Sequence, residues 1–192
     1  ADSGNNGGNY CTWNPLVKNR LTSTTPFNFK NGNLEVHNVQ NAYGVALGTI
    51  PMSSGKWYWE VTVNGTPENT YDYIGIVPSD SVSNYPTSGD QAESLWYRSG
   101  GTKLAGSTSS SYGATYGNGD VIGIALDLDS ATTTLTFYKN GVSQGTAFSS
   151  LTAGKSWLSA VGDYSNTPTT TSWIANWGQR PFAISSIPTG FK

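Results

Sequence analysis

The sequence predicts an all-β domain, and three observations carry the prediction. From Val121 to Leu128 the large aliphatics Ile122, Ile124, Leu126 and Leu128 alternate with Val121, Gly123, Ala125 and Asp127. A period of two places the four on one face of a sheet. Leu135 and Phe137 alternate in the same way with Thr134, Thr136 and Tyr138, and Asp129 to Thr132 supplies short polar turn residues between the two runs. Asn118-Gly119 and Asn140-Gly141 tolerate the positive φ of tight turns, so Tyr112 to Gly145 reads as an antiparallel hairpin closed at each end. Finally, Gly, Ser, Thr and Asn are abundant, and no segment shows sustained helical periodicity.

The remaining elements follow in order. Residues 1–9 are rich in Gly and Asn and read as a flexible N-terminal segment, with one domain over 10–192. Tyr10 to Leu16 is irregular, and Trp13 and Pro15 would pack it across a sheet edge. Leu21 to Phe29 and Asn33 to Val39 read as short strands around Asn31-Gly32, and Ala42 to Ile50 as another. Lys56 to Val63 is the clearest strand outside the hairpin. Trp57, Trp59, Val61 and Val63 take its core face, with Lys56, Tyr58, Glu60 and Thr62 opposite.

Tyr71 to Val77 turns Ile74 and Ile76 inward, and Gly75 admits a neighbouring backbone. Residues 78–94 lack periodicity and read as a long surface loop of the kind that carries function. Leu95 to Arg98 is a short strand, Lys103-Leu104 a brief one, and Trp157 to Val161 and Trp173 to Trp177 close the series. Between these last two, Gly162 to Ser172 reads as a polar loop or a two-sided polar ribbon.

The totals narrow the function. At 192 residues one sandwich with a full core is accommodated. Charged residues are 11% and the formal net charge is −2, so no broad basic surface awaits nucleic acid. No apolar run reaches the roughly 20 residues of a membrane span. Cys11 and His37 are the only cysteine and histidine, which excludes a disulfide framework and a conventional zinc centre. No metal and no cofactor is expected.

Catalytic constellations are weak. Asp127 and Asp129 with Asp120 suggest calcium, yet a calcium loop needs converging oxygens. An exposed strand residue and a turn residue explain them better. Glu60 lacks the second carboxylate that a glycosidase requires, so a backbone amide or Lys56 is its expected partner. His37 has no neighbouring nucleophile motif, and Cys11 no sign of activation. Arg180 is expected to satisfy carbonyls or a carboxylate at the core's edge. Trp57, Trp59, Phe137, Trp157 and Trp177 read as core. Tyr71, Tyr85, Tyr97, Tyr112, Tyr116 and Tyr164 lie in or beside Gly/Ser/Thr/Asn stretches, the composition of adaptable recognition loops, and are the candidate ligand-binding residues.

Several motifs add a resemblance. Ser54-Gly55-Lys56-Trp57-Tyr58-Trp59-Glu60-Val61, Tyr73-Ile74-Gly75-Ile76, Gly119-Asp120-Val121-Ile122-Gly123 with Leu126-Asp127, and Leu135-Thr136-Phe137-Tyr138-Lys139-Asn140-Gly141 occur in this order. With Trp157 to Val161 and Asn176-Trp177-Gly178-Gln179-Arg180-Pro181-Phe182 they resemble the SPRY (B30.2-like) family over roughly residues 54–182. The resemblance implies a concanavalin-type antiparallel β-sandwich of two curved sheets, used for non-catalytic recognition through end loops or the concave face. An N-terminal PRY portion is not well matched.

The low charge, the Asn9-Tyr10-Cys11-Thr12-Trp13-Asn14-Pro15-Leu16 entry and the Asn176–Phe182 exit resemble SPRY domains of phage and environmental viral structural proteins. That likeness implies a virion-surface or tail-fibre domain, extracellular, binding a protein or glycan receptor or an assembly partner, with a homo-oligomer among the arrangements. An intracellular adaptor binding a short peptide is the second reading, and a glycan-active sandwich enzyme the third.

Overall fold

The computed structural model describes residues 9–16, 27–38, 44–67, 72–80, 93–163, 171–185 and 187–191. Thirteen strands run through them: β1 (Phe27–Lys30), β2 (Glu35–Asn38), β3 (Gly44–Leu47), β4 (Lys56–Asn64), β5 (Asp72–Pro78), β6 (Leu95–Arg98), β7 (Thr102–Ala105), β8 (Thr108–Ser111), β9 (Val121–Asp127), β10 (Thr134–Lys139), β11 (Val142–Ser149), β12 (Trp157–Asp163) and β13 (Ser172–Asn176). One sheet has the order β1-β2-β13-β4-β9-β10-β11, the other β3-β12-β5-β6-β7-β8. Neighbouring strands pair antiparallel throughout, giving the expected all-β two-sheet sandwich.

The central hairpin forms as its periodicity requires. Leu126 pairs Leu135 and Ile124 pairs Phe137, and all four are fully buried between the sheets with Ile122. Asn140 (φ 49°) and Gly141 (φ 84°) make the two-residue turn between Lys139 and Val142, the geometry that Asn-Gly favours. At Gly75 the close approach is real: a Cβ there would stand 2.0 Å from the Leu95 carbonyl oxygen. Trp13 is fully buried, bridges Gly48 and meets Trp177 edge-on at 4.8 Å, so the irregular entry does cover a sheet edge.

Elsewhere the structure departs from the pattern. β4 is buried on both faces, because the C-terminal stretch crosses its outer side. The Glu60 carboxylate accepts the Ala183 and Ile184 amides at 2.8 Å each, and the Tyr58 ring stacks edge-on to Phe182. Lys56 pairs with Asp127 at 2.8 Å rather than with Glu60. Trp57 and Trp177 are half-buried at the margin of the core. Arg180 is exposed and bonds no carboxylate among the described residues, whereas Asn176 bonds the Pro181 carbonyl and Glu60 fills the anchoring role.

The polar run after Val161 opens as strand, since β12 continues to Asp163 against Asp72. β8 has no apolar alternation to announce it, and Val142 to Ser149 is one bulged strand. Cys11 is buried, and its thiol contacts Thr12 and Thr49.

The six-stranded sheet is apolar on its outer side as well. Leu47, Tyr73, Val77, Trp96, Leu104, Leu158 and Ala160 form a second buried cluster there, separate from the intersheet core. β5 and β12 therefore bury every residue, in contrast to the one-sided burial usual for antiparallel strands.

Gly75→Ala should destabilise the domain by about 3 kcal/mol, because backbone and not a movable side-chain tip occupies the site. A drop in the urea midpoint at unchanged slope checks this.

Candidate functional site

Strand register sorts the loops onto two ends. One end gathers the segments after β3 (residues 48–55), between β9 and β10 (128–133), between β11 and β12 (150–156), and the two stems of the β5–β6 connection. The other gathers residues 65–67, 99–101, 112–120 and 140–141.

At the first end the loops frame a shallow cleft of about 390 Å³ lined by Ser53, Leu128, Thr133, Leu151, Lys155 and Trp157 among others. Its walls are tied from several sides. Thr133 receives the Ser150 amide on its carbonyl at 2.9 Å and the Leu151 amide on its hydroxyl at 2.8 Å, while Ser150 itself takes a left-handed φ of 55°. Met52 and Trp157 exchange two backbone bonds of 2.8 Å.

Asp127 organises the 128–133 turn. One of its oxygens accepts the Asp129 and Ser130 amides at 3.0 and 2.9 Å; the other takes the Ser130 hydroxyl at 2.7 Å and Lys56. Burial pushes the carboxyl up, but Lys56, the Ser130 hydroxyl and the two amides outweigh it and hold the pKa at about 2. Asp127 is therefore a buried turn organiser, not the exposed strand residue expected. Lys155 reaches from the cleft wall to Asp80 at 2.7 Å and Glu93 at 3.0 Å, linking both stems of the β5–β6 connection. These bonds, first to Asp80 and then to Glu93, raise its ammonium above the ordinary value.

The tyrosine candidates divide. Tyr71, Tyr85 and Tyr164 lie outside the described residues. Tyr97 and Tyr116 are core residues and expose no ring face to a ligand. The Tyr97 hydroxyl donates to the Ala114 carbonyl, and that of Tyr116 is shared between the carbonyls of Asp72 and Tyr97 at 3.1 Å each. Their amphipathic rings bury the apolar body while the hydroxyl finds main chain. Tyr112 is half-buried; its hydroxyl donates to the Gly145 carbonyl at 2.5 Å and accepts the Phe137 amide at 3.2 Å. Tyr97, Tyr112, Tyr116 and Phe137 thus form a packed aromatic group at the other end. Burial pushes the Tyr112 phenol up to about 12, against the lowering effect of the Phe137 amide, and drives Tyr97 and Tyr116 higher still.

The carboxylates considered for chemistry are occupied structurally. Asp120 and Asp127 sit at opposite ends of β9, about 20 Å apart on strand geometry, so they share no cation. Asp120 instead binds the Gly117 amide, Asn140 and Lys139. Among the described residues no group of three or more His, Cys, Asp or Glu side chains converges as metal ligands. None of their helices is long and apolar enough to cross a membrane.

Fold and site together define a β-sandwich that carries its exposed surface chemistry on end loops and strand edges. Residues 56–162 match the SPRY domain family model, and the chain belongs to that family, whose members are generally protein-interaction modules. A Drosophila melanogaster protein described as "Ran-binding proteins 9/10 homolog" is 30% identical over 145 residues. That alignment takes in 72% of this chain but only 14% of the relative's length.

Among solved structures, the SPRY domain of human HERC1 superposes with a TM-score of 0.71 at 17% identity, over 88% of this chain and 99% of that one. A human SPRY domain gives 0.63 at 18% identity, over 82% and 98%. These likenesses establish the fold. The expected phage or viral origin, and with it the virion and glycan-receptor setting, finds no support among these animal relatives.

Two outcomes follow. Asp127 has a folded pKa below its unfolded value, so its stabilisation is present above about pH 4 and is lost as pH falls toward 2. Asp127→Asn should cost about 1–2 kcal/mol at neutral pH, with the gap to wild type closing in acid unfolding curves. For the tyrosines the sign is reversed. Their raised folded pKa values give stability that is present below about pH 10 and lost above it. In an ultraviolet titration the phenols of Tyr97, Tyr112 and Tyr116 should ionise late, together with unfolding.

Proposed function

We propose that this domain is a non-catalytic adaptor module that captures a short peptide of a partner protein in the cleft between residues 53, 128–133 and 150–157. The observation that carries the reading is the cleft itself. It has ligand-site size, mixes apolar with a few polar groups, and is held by main-chain and Thr133 bonds before any ligand arrives. Preorganised walls lower the ordering cost of binding. Leu128, Leu151 and Trp157 offer apolar contact, while Ser53 and Thr133 offer hydroxyls suited to a peptide backbone.

The family's general role and a relative described as Ran-binding favour a protein ligand over a glycan. The tyrosine-loop glycan site loses support from the described structure, where Tyr97 and Tyr116 are buried and Tyr112 has its hydroxyl engaged at both donor and acceptor.

The test is a displayed library of random peptides selected on the purified domain, with Ala153→Arg as the variant that fills the cleft mouth from an exposed position. Selected peptides should lose at least about tenfold in affinity to this variant, equivalent to about 1.4 kcal/mol. Peptides indifferent to Ala153→Arg, or an empty selection beside a positive glycan array, would overturn the reading.

A further inference from the structure

The four edge strands of the two sheets are not alike. β3 is covered: the Asn14 amide donates to the Leu47 carbonyl at 2.7 Å, and Trp13 bridges Gly48. β11 is broken by two register shifts and by Gly145 at φ 82°. Two of its carbonyls are already taken, Gly145 by the Tyr112 hydroxyl and Ala147 by Lys103 at 2.6 Å. β1 borders residues 17–26, outside the described residues. β8 is different: Thr108, Ser109, Ser110 and Ser111 are all exposed, and among the described residues the strand pairs with β7 alone. It carries no charge, no proline and no bulge, the devices that ordinarily blunt an open edge.

Hydrogen-bond parity identifies which groups face outward. The Tyr112 amide donates to the Gly101 carbonyl at 3.0 Å, so Tyr112 belongs to the set that bonds across to β7. In an antiparallel pair bonded residues alternate, and Ser110 and Thr108 share that parity, opposite Lys103 and Ala105. The N–H and C=O groups of Ser109 and Ser111 therefore point away from the sheet, and no backbone group among the described residues bonds to them.

We propose that β8 is a second interaction surface, on which an extended segment of a partner protein adds as a seventh strand through the main chain of Ser109 and Ser111. The chemistry of the segment follows from its flanks. Arg98 reaches along the outer face to the Ser109 hydroxyl at 3.5 Å, and Lys103 lies beneath the opposite face across from Ser110. Two cations beside the edge disfavour a basic segment, and the small hydroxyl side chains of β8 leave both faces open. The segment is therefore extended and free of Lys and Arg. A second copy of this chain is the poorer occupant. A four-residue edge joined to its equal falls far short of the roughly 800 Å² per partner that a stable dimer buries.

This surface is independent of the cleft, and one selection separates them. Peptides from the displayed library are measured against Ser109→Pro, Ser111→Pro and Ala153→Arg. Proline removes one outward N–H and leaves the β7 ladder intact, as edge positions allow. A class of Lys- and Arg-free peptides should weaken at least about fivefold in each proline variant, the loss of one backbone hydrogen bond, and be unchanged in Ala153→Arg. With such a peptide bound to the wild-type domain, amide exchange should slow at Ser109 and Ser111 and stay the same at Ser110. That readout does not depend on how well the variants fold. Peptides that all respond to Ala153→Arg alone, unchanged exchange at Ser109 and Ser111, or a dimer in light scattering abolished by Ser109→Pro would each overturn the proposal.

Discussion

The carboxylate of Glu60 is the interaction on which the rest of the seven-stranded sheet depends. It is buried with no cation beside it among the described residues, and a buried charge survives only where donors converge on it. Three do: the amides of Ala183 and Ile184 and the hydroxyl of Tyr58. These bonds tie the segment that follows β13 to the strand between β13 and β9. In consequence β4 is buried on both faces, Tyr58 meets Phe182 edge-on, and Asn176 can hold the Pro181 carbonyl. Burial drives the Tyr58 phenol far above its ordinary range, with Glu60 adding to the effect. Both effects favour the protonated hydroxyl that donates to Glu60.

The two ends of the sandwich use the same residue types for opposite purposes. At one end hydroxyls and carboxylates tie turns that frame a cleft: Thr133 to residues 150–151, Asp127 to 129–130, Lys155 to Asp80 and Glu93. At the other, tyrosine hydroxyls are spent on main-chain carbonyls of neighbouring segments, so the rings become packing units. A polar group already saturated by its own backbone has little left for a ligand. That difference, more than composition, separates a recognition surface from a well-decorated core.

The same distinction explains what was legible in the sequence. The hairpin of β9 and β10 was, because Ile122, Ile124 and Leu126 repeat at period two and Asn140-Gly141 closes the next turn. Gly75 was, because a glycine between two inward isoleucines has few other uses. The burial of Tyr97 and Tyr116 was not legible, because Gly/Ser stretches adjoin both, whereas the ring's own amphipathicity decides its fate. β8 was missed because Thr-Ser-Ser-Ser carries no alternation; its pairing with β7 is what makes it a strand. The cleft was not legible at all, since residues 53, 133, 151 and 155 meet only through register. Arg180 looked like an anchor, yet Glu60, 120 positions earlier, already holds that segment.

A chain this sparsely charged must recognise partners differently from one that steers them by field. With a net charge of −2 and 11% charged residues, and with Lys56, Lys139 and Lys155 paired internally, little net potential remains to accelerate encounter. What remains available is directional and short-ranged: outward main-chain groups on an open edge, hydroxyls, and apolar side chains such as Leu128 and Leu151. Such contacts discriminate through hydrogen-bond register and fit, because a mismatched partner leaves polar groups desolvated without partners. The stiffness of the sandwich, with β5 and β12 buried on both faces, is what lets these weak elements act together, since each sits on backbone already fixed by the core.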